Sequence, residues 1–180
     1  ATPVLVNGSY SWSSVWAGSH HSCGVTTSGD AFCWGYNRYG RLGDGSTTNS
    51  TTPVLVSGGH TWTSVHTSMS HTCGVTTSGD AYCWGFNEGG QLGDGSTTNS
   101  TKPVLVSGGH SWSSVSGGGY HSCGVTNSEQ AYCWGSNLYG KLGDGTTTAH
   151  GTPMLVSGGH SWSSVSATFS STCGLTTSGD

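Results

Sequence analysis

HSCGVTTSGDAFCWG, residues 21–35, places two cysteines ten positions apart around a tight turn at Thr27-Ser28-Gly29. The chain restates it as HTCGVTTSGDAYCWG at 71–85 and as HSCGVTNSEQAYCWG at 121–135. Turn-forming residues between short β-branched and aromatic runs read as a tight hairpin. With Ser28 at the centre of the turn, Thr26 faces Asp30 and Cys23 faces Cys33. Directly opposed antiparallel residues have Cα atoms about 4.5–5.5 Å apart, within disulfide reach. The same arithmetic pairs Cys73 with Cys83 and Cys123 with Cys133, whereas Cys173 would need a partner at position 183. The alternative of zinc is weak, because the spacing lacks the close cysteine pairs of structural zinc sites. His21, His71 and His121, two positions before the first cysteine, are the only ligands to propose beside them. No metal or cofactor is expected.

Outward from the hairpin, the period is 50 residues. Trp12, Trp62, Trp112 and Trp162 keep it, as do Pro3, Pro53, Pro103 and Pro153, and Leu42, Leu92 and Leu142 in LGDG. The 180 residues form one repeat domain, with units starting near 12, 62, 112 and 162 and the last incomplete. Each unit reads as four short strands: A (WSSV, 12–15), B (CGVTT, 23–27), C (AFCWG, 31–35) and D (PVLV, 53–56). Residues 1–6 read as the outer strand of a preceding unit. No stretch keeps a helical period over ten positions, so the fold class is all-β. Four short strands per unit of this length predict a β-propeller of four-stranded antiparallel blades, with a β-solenoid as runner-up.

Charged residues make up only 7% of the chain, and the formal net charge is −4. Such low charge and abundant Gly, Ser and Thr raise the prospect of disorder, but disorder goes with few aromatics. Eight Trp, seven Tyr and three Phe at regular spacing favour a packed fold. The acidic balance offers no footprint for nucleic acid. No apolar run approaches the roughly 18–20 residues that cross a bilayer, so no membrane insertion is expected. The chain opens inside a repeat, which predicts a processed or truncated start and a fragment of a longer ring or an assembly completed by other chains.

The motif CWGxNxxGxLGDG, with PVLV downstream and GxxHSCGVT upstream, resembles the regulator-of-chromosome-condensation repeat. The resemblance covers essentially the whole chain. It implies a seven-bladed propeller of about 50-residue blades, of which 180 residues supply about half: three complete repeats and a partial fourth.

A disulfide in each blade implies an oxidising compartment, and hence secretion or display at the cell surface. Asn7, Asn49 and Asn99 fit the N-x-S/T acceptor pattern and are candidate glycosylation sites. Asp44, Asp94 and Asp144 in LGDG could be imagined as calcium ligands, but the full calcium loop is missing and a turn role suffices. The histidines at 21, 71 and 121 read as hydrogen-bonded side chains that fix the A–B turn, and those at 60, 110 and 160 as structural parts of SGGH turns. Acidic residues are too few and too periodic for a paired general acid and base, and no G-x-S-x-G elbow appears. A catalytic role is not expected.

The units differ most between A and B and between C and D. In a meander these two connections emerge on one face. That face collects Trp16, Tyr36, Arg38, Tyr39, Phe86, Tyr120, Tyr139 and Phe169 as a candidate binding surface. Three functions follow in order of expectation. First is a non-enzymatic extracellular scaffold, structural or adhesive, that self-associates through near-identical modules. Second is a secreted binding module for a protein or glycan, as implied by a secreted bacterial β-lactamase inhibitor of the resembled family. Third is the guanine-nucleotide exchange and chromatin role, which paired cysteines and acidic balance argue against.

Overall fold

The computed structural model describes Thr2 and residues 5–180. The first sheet contains β1 (Trp12–Ala17), β2 (His21–Thr26), β3 (Ala31–Gly35) and β4 (Ser50–Leu55), joined in chain order as an antiparallel meander. The second contains β5 (Trp62–Thr67), β6 (His71–Thr76), β7 (Ala81–Gly85) and β8 (Ser100–Leu105). The third contains β9 (Trp112–Gly117), β10 (His121–Thr126), β11 (Ala131–Gly135) and β12 (His150–Leu155). The fourth unit contributes the pair β13 (Trp162–Ala167) and β14 (Thr172–Thr176). First strands of successive sheets pack on one another, β1 on β5, β5 on β9 and β9 on β13. The sheets are therefore blades radiating from an inner edge: three complete blades and part of a fourth, in an open arc. Of the outer strand expected at 1–6, Ala1, Pro3 and Val4 lie outside the described residues, and Thr2, Leu5 and Val6 are in no strand.

The opening hairpin holds its expected register. Cys23 pairs with Cys33, Cys73 with Cys83 and Cys123 with Cys133. All three pairs are disulfide-bonded, with Cα atoms 4.0 Å apart. The separation is below the expected range for a reason visible in the ladder. Tyr36 N–H donates to His20 C=O and Thr26 N–H donates to Asp30 C=O, which sets the hydrogen-bonded pairs at even positions. The cysteines occupy the alternate, non-bonded pairs, where side chains stand closest. The three-residue turn closes through a left-handed residue, Gly29 at φ +87°. Glu129 takes that conformation in the third blade at φ +62°, at the cost a side chain incurs there.

Strand limits differ from expectation at three places. The first strand runs on to Ala17, since Ala17 still pairs with Ser22. The second begins at His21, which pairs with Gly35. The outer strand covers 50–55 rather than 53–56, because Ser50 already pairs with Gly35. Pro53 is tolerated in it, since an outermost strand has a free edge and needs no N–H there.

The core lies between blades. Cys23, Val25, Ala31, Cys33, Leu42 and Val56 of the first unit enclose Trp62, Val65 and Trp84 of the second. The second junction repeats this with Trp112, Val115 and Trp134. The first two disulfides thus face the tryptophans of the next blade, and the third faces Ala167 and Val165. Glycine in the second strand makes this fit. A Cβ on Gly74 would lie 2.8 Å from the Trp62 ring and 2.9 Å from Ser64 O. Gly74→Ala is expected to destabilise the protein by about 1–3 kcal/mol, as overpacking of a filled core does, measured as a shift of the urea midpoint. An unchanged midpoint would mean that the Trp62 ring moves freely.

Candidate functional site

The A–B bends and C–D connections do share one face. Phe86 N–H donates to Ser70 C=O (3.0 Å), and Ser136 N–H to Tyr120 C=O (2.9 Å), tying each C–D connection to the A–B bend of its own blade. The other face is tied by B–C turns to the start of the next blade, as in Trp62 N–H to Gly29 C=O (2.8 Å). There His60 and His110 lie against Tyr82 and Tyr132, with ring centroids 4.2 and 4.3 Å apart.

One asparagine folds each C–D connection. Asn37 is fully buried. Its Oδ1 accepts from Leu42 N–H (2.9 Å), and its Nδ2 donates to Thr48 C=O (3.0 Å) and towards Asp44 (3.3 Å). Asp44 also accepts from Ser46 N–H (3.0 Å) and the Ser46 hydroxyl (2.9 Å), so its carboxylate is satisfied within its own turn. Among the described residues, no three of His, Cys, Asp and Glu cluster as metal ligands. Asn49 and Asn99 are exposed, and each accepts a backbone N–H through Oδ1, from Asn37 (2.7 Å) and Asn87 (2.6 Å) respectively. Asn7 is exposed as well.

On this loop scaffold stands a row of rings. The Arg41 guanidinium lies 5.1 Å from the Tyr36 ring centroid, and that of Arg38 lies 4.9 Å from Tyr39. Tyr39 meets Phe86 of the next blade at 4.8 Å; Phe86 meets Tyr120 at 6.1 Å, and Tyr120 meets Phe169 at 6.5 Å. Six of the eight residues read from the sequence are therefore brought together across all four units. Two are not. Tyr139 is 88% exposed and, among the described residues, stacks on no other ring. Trp16 is not a loop residue: it lies in β1, in register with Cys23, with its ring 4.0 Å from that of His66. The first strand simply continues past the point where the units begin to differ. Tyr39 and Tyr139 hold left-handed backbone, at φ +69° and +66°. Such conformations cost about 1–3 kcal/mol and gather at functional segments.

Three contributors were missed in the sequence. Arg41 is only 4% exposed; its Nε donates to Arg38 C=O (3.0 Å) and its Nη1 to Met69 C=O (2.8 Å). Ser70, 5% exposed, has no partner for its hydroxyl among the described residues. With Tyr36, Arg38 and Phe86, and with Tyr120 of the third unit, they line a cavity of about 240 Å³ at the junction of the first and second blades. The signal for Arg41 was present: its counterparts are Gln91 and Lys141, so the position differs in every complete unit.

The third omission corrects the role given to the repeat histidines. His71 does bond within its A–B bend, through Nδ1 and the Ser68 hydroxyl (2.8 Å). The shared contact, however, runs between blades. His21 Nε2 meets Thr72 Oγ1 (2.8 Å), whose hydroxyl donates to Arg41 C=O (2.8 Å). His71 meets Ser122 and so Gln91 C=O, and His121 meets Thr172 and so Lys141 C=O. The hydroxyl donates onward, so it accepts from a neutral Nε2–H. Burial, with smaller effects from Arg41 and neighbouring histidines, lowers His21 to about 3. Burial, then His121 and Arg41, lowers His71 to about 3. Burial, then Lys141, lowers His121 to about 4.

Models of the regulator of chromosome condensation (RCC1) repeat match residues 28–75, 78–125 and 128–175, and a second model of that repeat matches 12–41 and 112–141. The chain belongs to the RCC1 repeat family. Solved propellers share the fold of this RCC1-repeat chain. Prp20p from Saccharomyces cerevisiae, whose structure was described with its binding to Gsp1p and histones, is 19% identical, with a TM-score of 0.77 over 92% of this chain and 44% of that one. Yeast RCC1 (Prp20) bound to Kap60 is 18% identical, with a TM-score of 0.81 over 97% and 44%. The entire ectodomain of the receptor kinase CR4 from Physcomitrella patens is 21% identical, with a TM-score of 0.61 over 94% and 39%. The chain thus spans less than half of these proteins. Its three disulfides are the chemistry of an oxidising environment. No helix among the described residues is long and apolar enough to cross a membrane.

Proposed function

We propose that this RCC1-repeat chain is a non-enzymatic, extracellular binding module that holds a protein partner on its A–B/C–D face. The row from Tyr36 to Phe169, with two arginines at one end, carries this reading. Aromatic residues and arginine anchor interfaces, and here they gather where the units diverge while the junctions between blades stay uniform. Protein binding by the yeast relative and the ectodomain setting of the plant relative support the same assignment. Exposed acceptor sequences at Asn7, Asn49 and Asn99 suit a secreted glycoprotein. Replacing Tyr39, Phe86 and Tyr120 together by Ala is expected to weaken capture of a partner isolated from the native extracellular fluid at least about tenfold, read by biolayer interferometry. Substitutions at Ser28 and Ser78, in B–C turns, should leave it unchanged. Equal binding by the triple variant rejects the face.

Self-association as a scaffold, the first expectation from the sequence, is the second reading, favoured by the near-identity of the 50-residue units. Growth of species with concentration in sedimentation velocity would support it, and a concentration-independent monomer would reject it.

A further inference from the structure

We infer that the cavity between the first and second blades receives the carboxylate of an acidic side chain presented by a protein partner. The inference rests on the binding-face reading above and names the chemistry of its anchor point. The chain has four Lys and Arg in all, and two of them, Arg38 and Arg41, line this one cavity. No Asp or Glu lines it, and among the described residues neither guanidinium has a carboxylate within ion-pair distance. Arg41 is held in place rather than neutralised. Two of its five N–H groups are committed to backbone carbonyls, which fixes the plane of the guanidinium and leaves the remainder to donate elsewhere. Ser70 lines the same cavity, and its buried hydroxyl has no partner among the described residues. A buried polar group left unsatisfied is costly, so this hydroxyl beside a guanidinium without a carboxylate marks a place for an acceptor. A carboxylate supplies two oxygens and the charge complement of a guanidinium, and the Tyr36 and Phe86 rings would cover its methylene stem.

A peptide is the occupant that suits the site. The rings do not stop at the cavity but run on past Tyr120 to Phe169, offering a track to a chain that passes over several blades. The position equivalent to Arg41 is Gln91 in the second blade, which is fully buried there, so the fold accommodates glutamine at this point. Arg41→Gln is thus a substitution that keeps the loop while removing the charge.

The test selects binders from an unbiased phage-displayed library of random 12-mer peptides on the disulfide-intact protein. Selected peptides are then measured by fluorescence polarisation beside versions with each Glu or Asp replaced by Gln or Asn. Selected peptides are expected to share one acidic residue whose amide version binds about tenfold to a hundredfold more weakly, with the same loss for Arg41→Gln and a smaller one for Ser70→Ala. Affinity should also fall with added salt. Ser28→Ala, in a B–C turn on the other face, should bind as the parent does. Peptides that bind equally as amides, or equally to Arg41→Gln, overturn the carboxylate anchor while leaving the face intact, provided the Tyr39/Phe86/Tyr120 variant loses them. Failure to select any peptide also overturns it, as does Arg41-dependent capture of glucuronate oligosaccharides in place of peptides. If the triple aromatic variant retains every selected peptide, the face itself is refuted.

Discussion

Reduction of the three disulfides is expected to abolish stable folding at neutral pH. Each bridge closes a loop of about eleven residues, which contributes roughly 2.5–3 kcal/mol in the chain-entropy model. Three such contributions amount to about 8 kcal/mol, inside the 5–15 kcal/mol that is the whole stability of an ordinary domain. The dependence is sharpened by where the sulfurs sit. All six bridged cysteines are fully buried and form one wall of the junction with the next blade. Losing a bridge therefore loosens a hairpin and, at the first two junctions, uncovers the tryptophans packed on it. The measurement is equilibrium urea unfolding of chain refolded with and without reductant, followed by tryptophan fluorescence. Matching midpoints would show that blade packing alone holds the fold.

Acidification is the second large effect. The three repeat histidines are neutral when folded, held to about 3, 3 and 4 chiefly by burial. In the unfolded chain each titrates near 6.5. Between those limits the unfolded state binds more protons, so stability is complete above about pH 6.5 and falls as pH drops towards 3. At pH 5 each histidine has withdrawn about 2 kcal/mol, and the three together about 6 kcal/mol. The loss acts between blades, because protonation must break the packing of His21 on Thr72, of His71 on Ser122 and of His121 on Thr172. Urea midpoints at pH 7, 6 and 5 should fall steeply, with about three protons taken up per molecule unfolded at pH 5. His71→Gln, which cannot titrate, should remove about a third of that slope. A flat profile from pH 7 to 5 would mean that the rings are hydrated and charged in the folded protein.

Much of the blade was legible because it is local. Thr27-Ser28-Gly29 fixes the hairpin, the hairpin fixes which residues oppose each other, and the cysteines follow from counting five positions to either side of residue 28. The up-and-down order of the strands then decided which connections share a face, and so grouped Tyr36, Tyr39, Phe86, Tyr120 and Phe169 from the sequence. Trp16 escaped this logic, since the end of a strand depends on how far its neighbour continues to pair with it. The left-handed Tyr39 escaped as well: Gly89, at the equivalent place in the second blade, does not adopt that conformation, so one loop pattern supports two backbones.

By itself, then, the amino-acid order determined the repeat, the four-stranded unit, the sulfur pairing and the face on which variation collects. Each of these depends on contacts between residues close along the chain, whose geometry turn chemistry and the up-and-down order of the strands dictate. Stacking of one blade on the next decided the rest. The histidine–hydroxyl relays join residues 51 positions apart, and the anchoring of Arg41 on Met69 spans 28. Their distances are set by how two sheets seat their tryptophans against each other, which no single repeat contains.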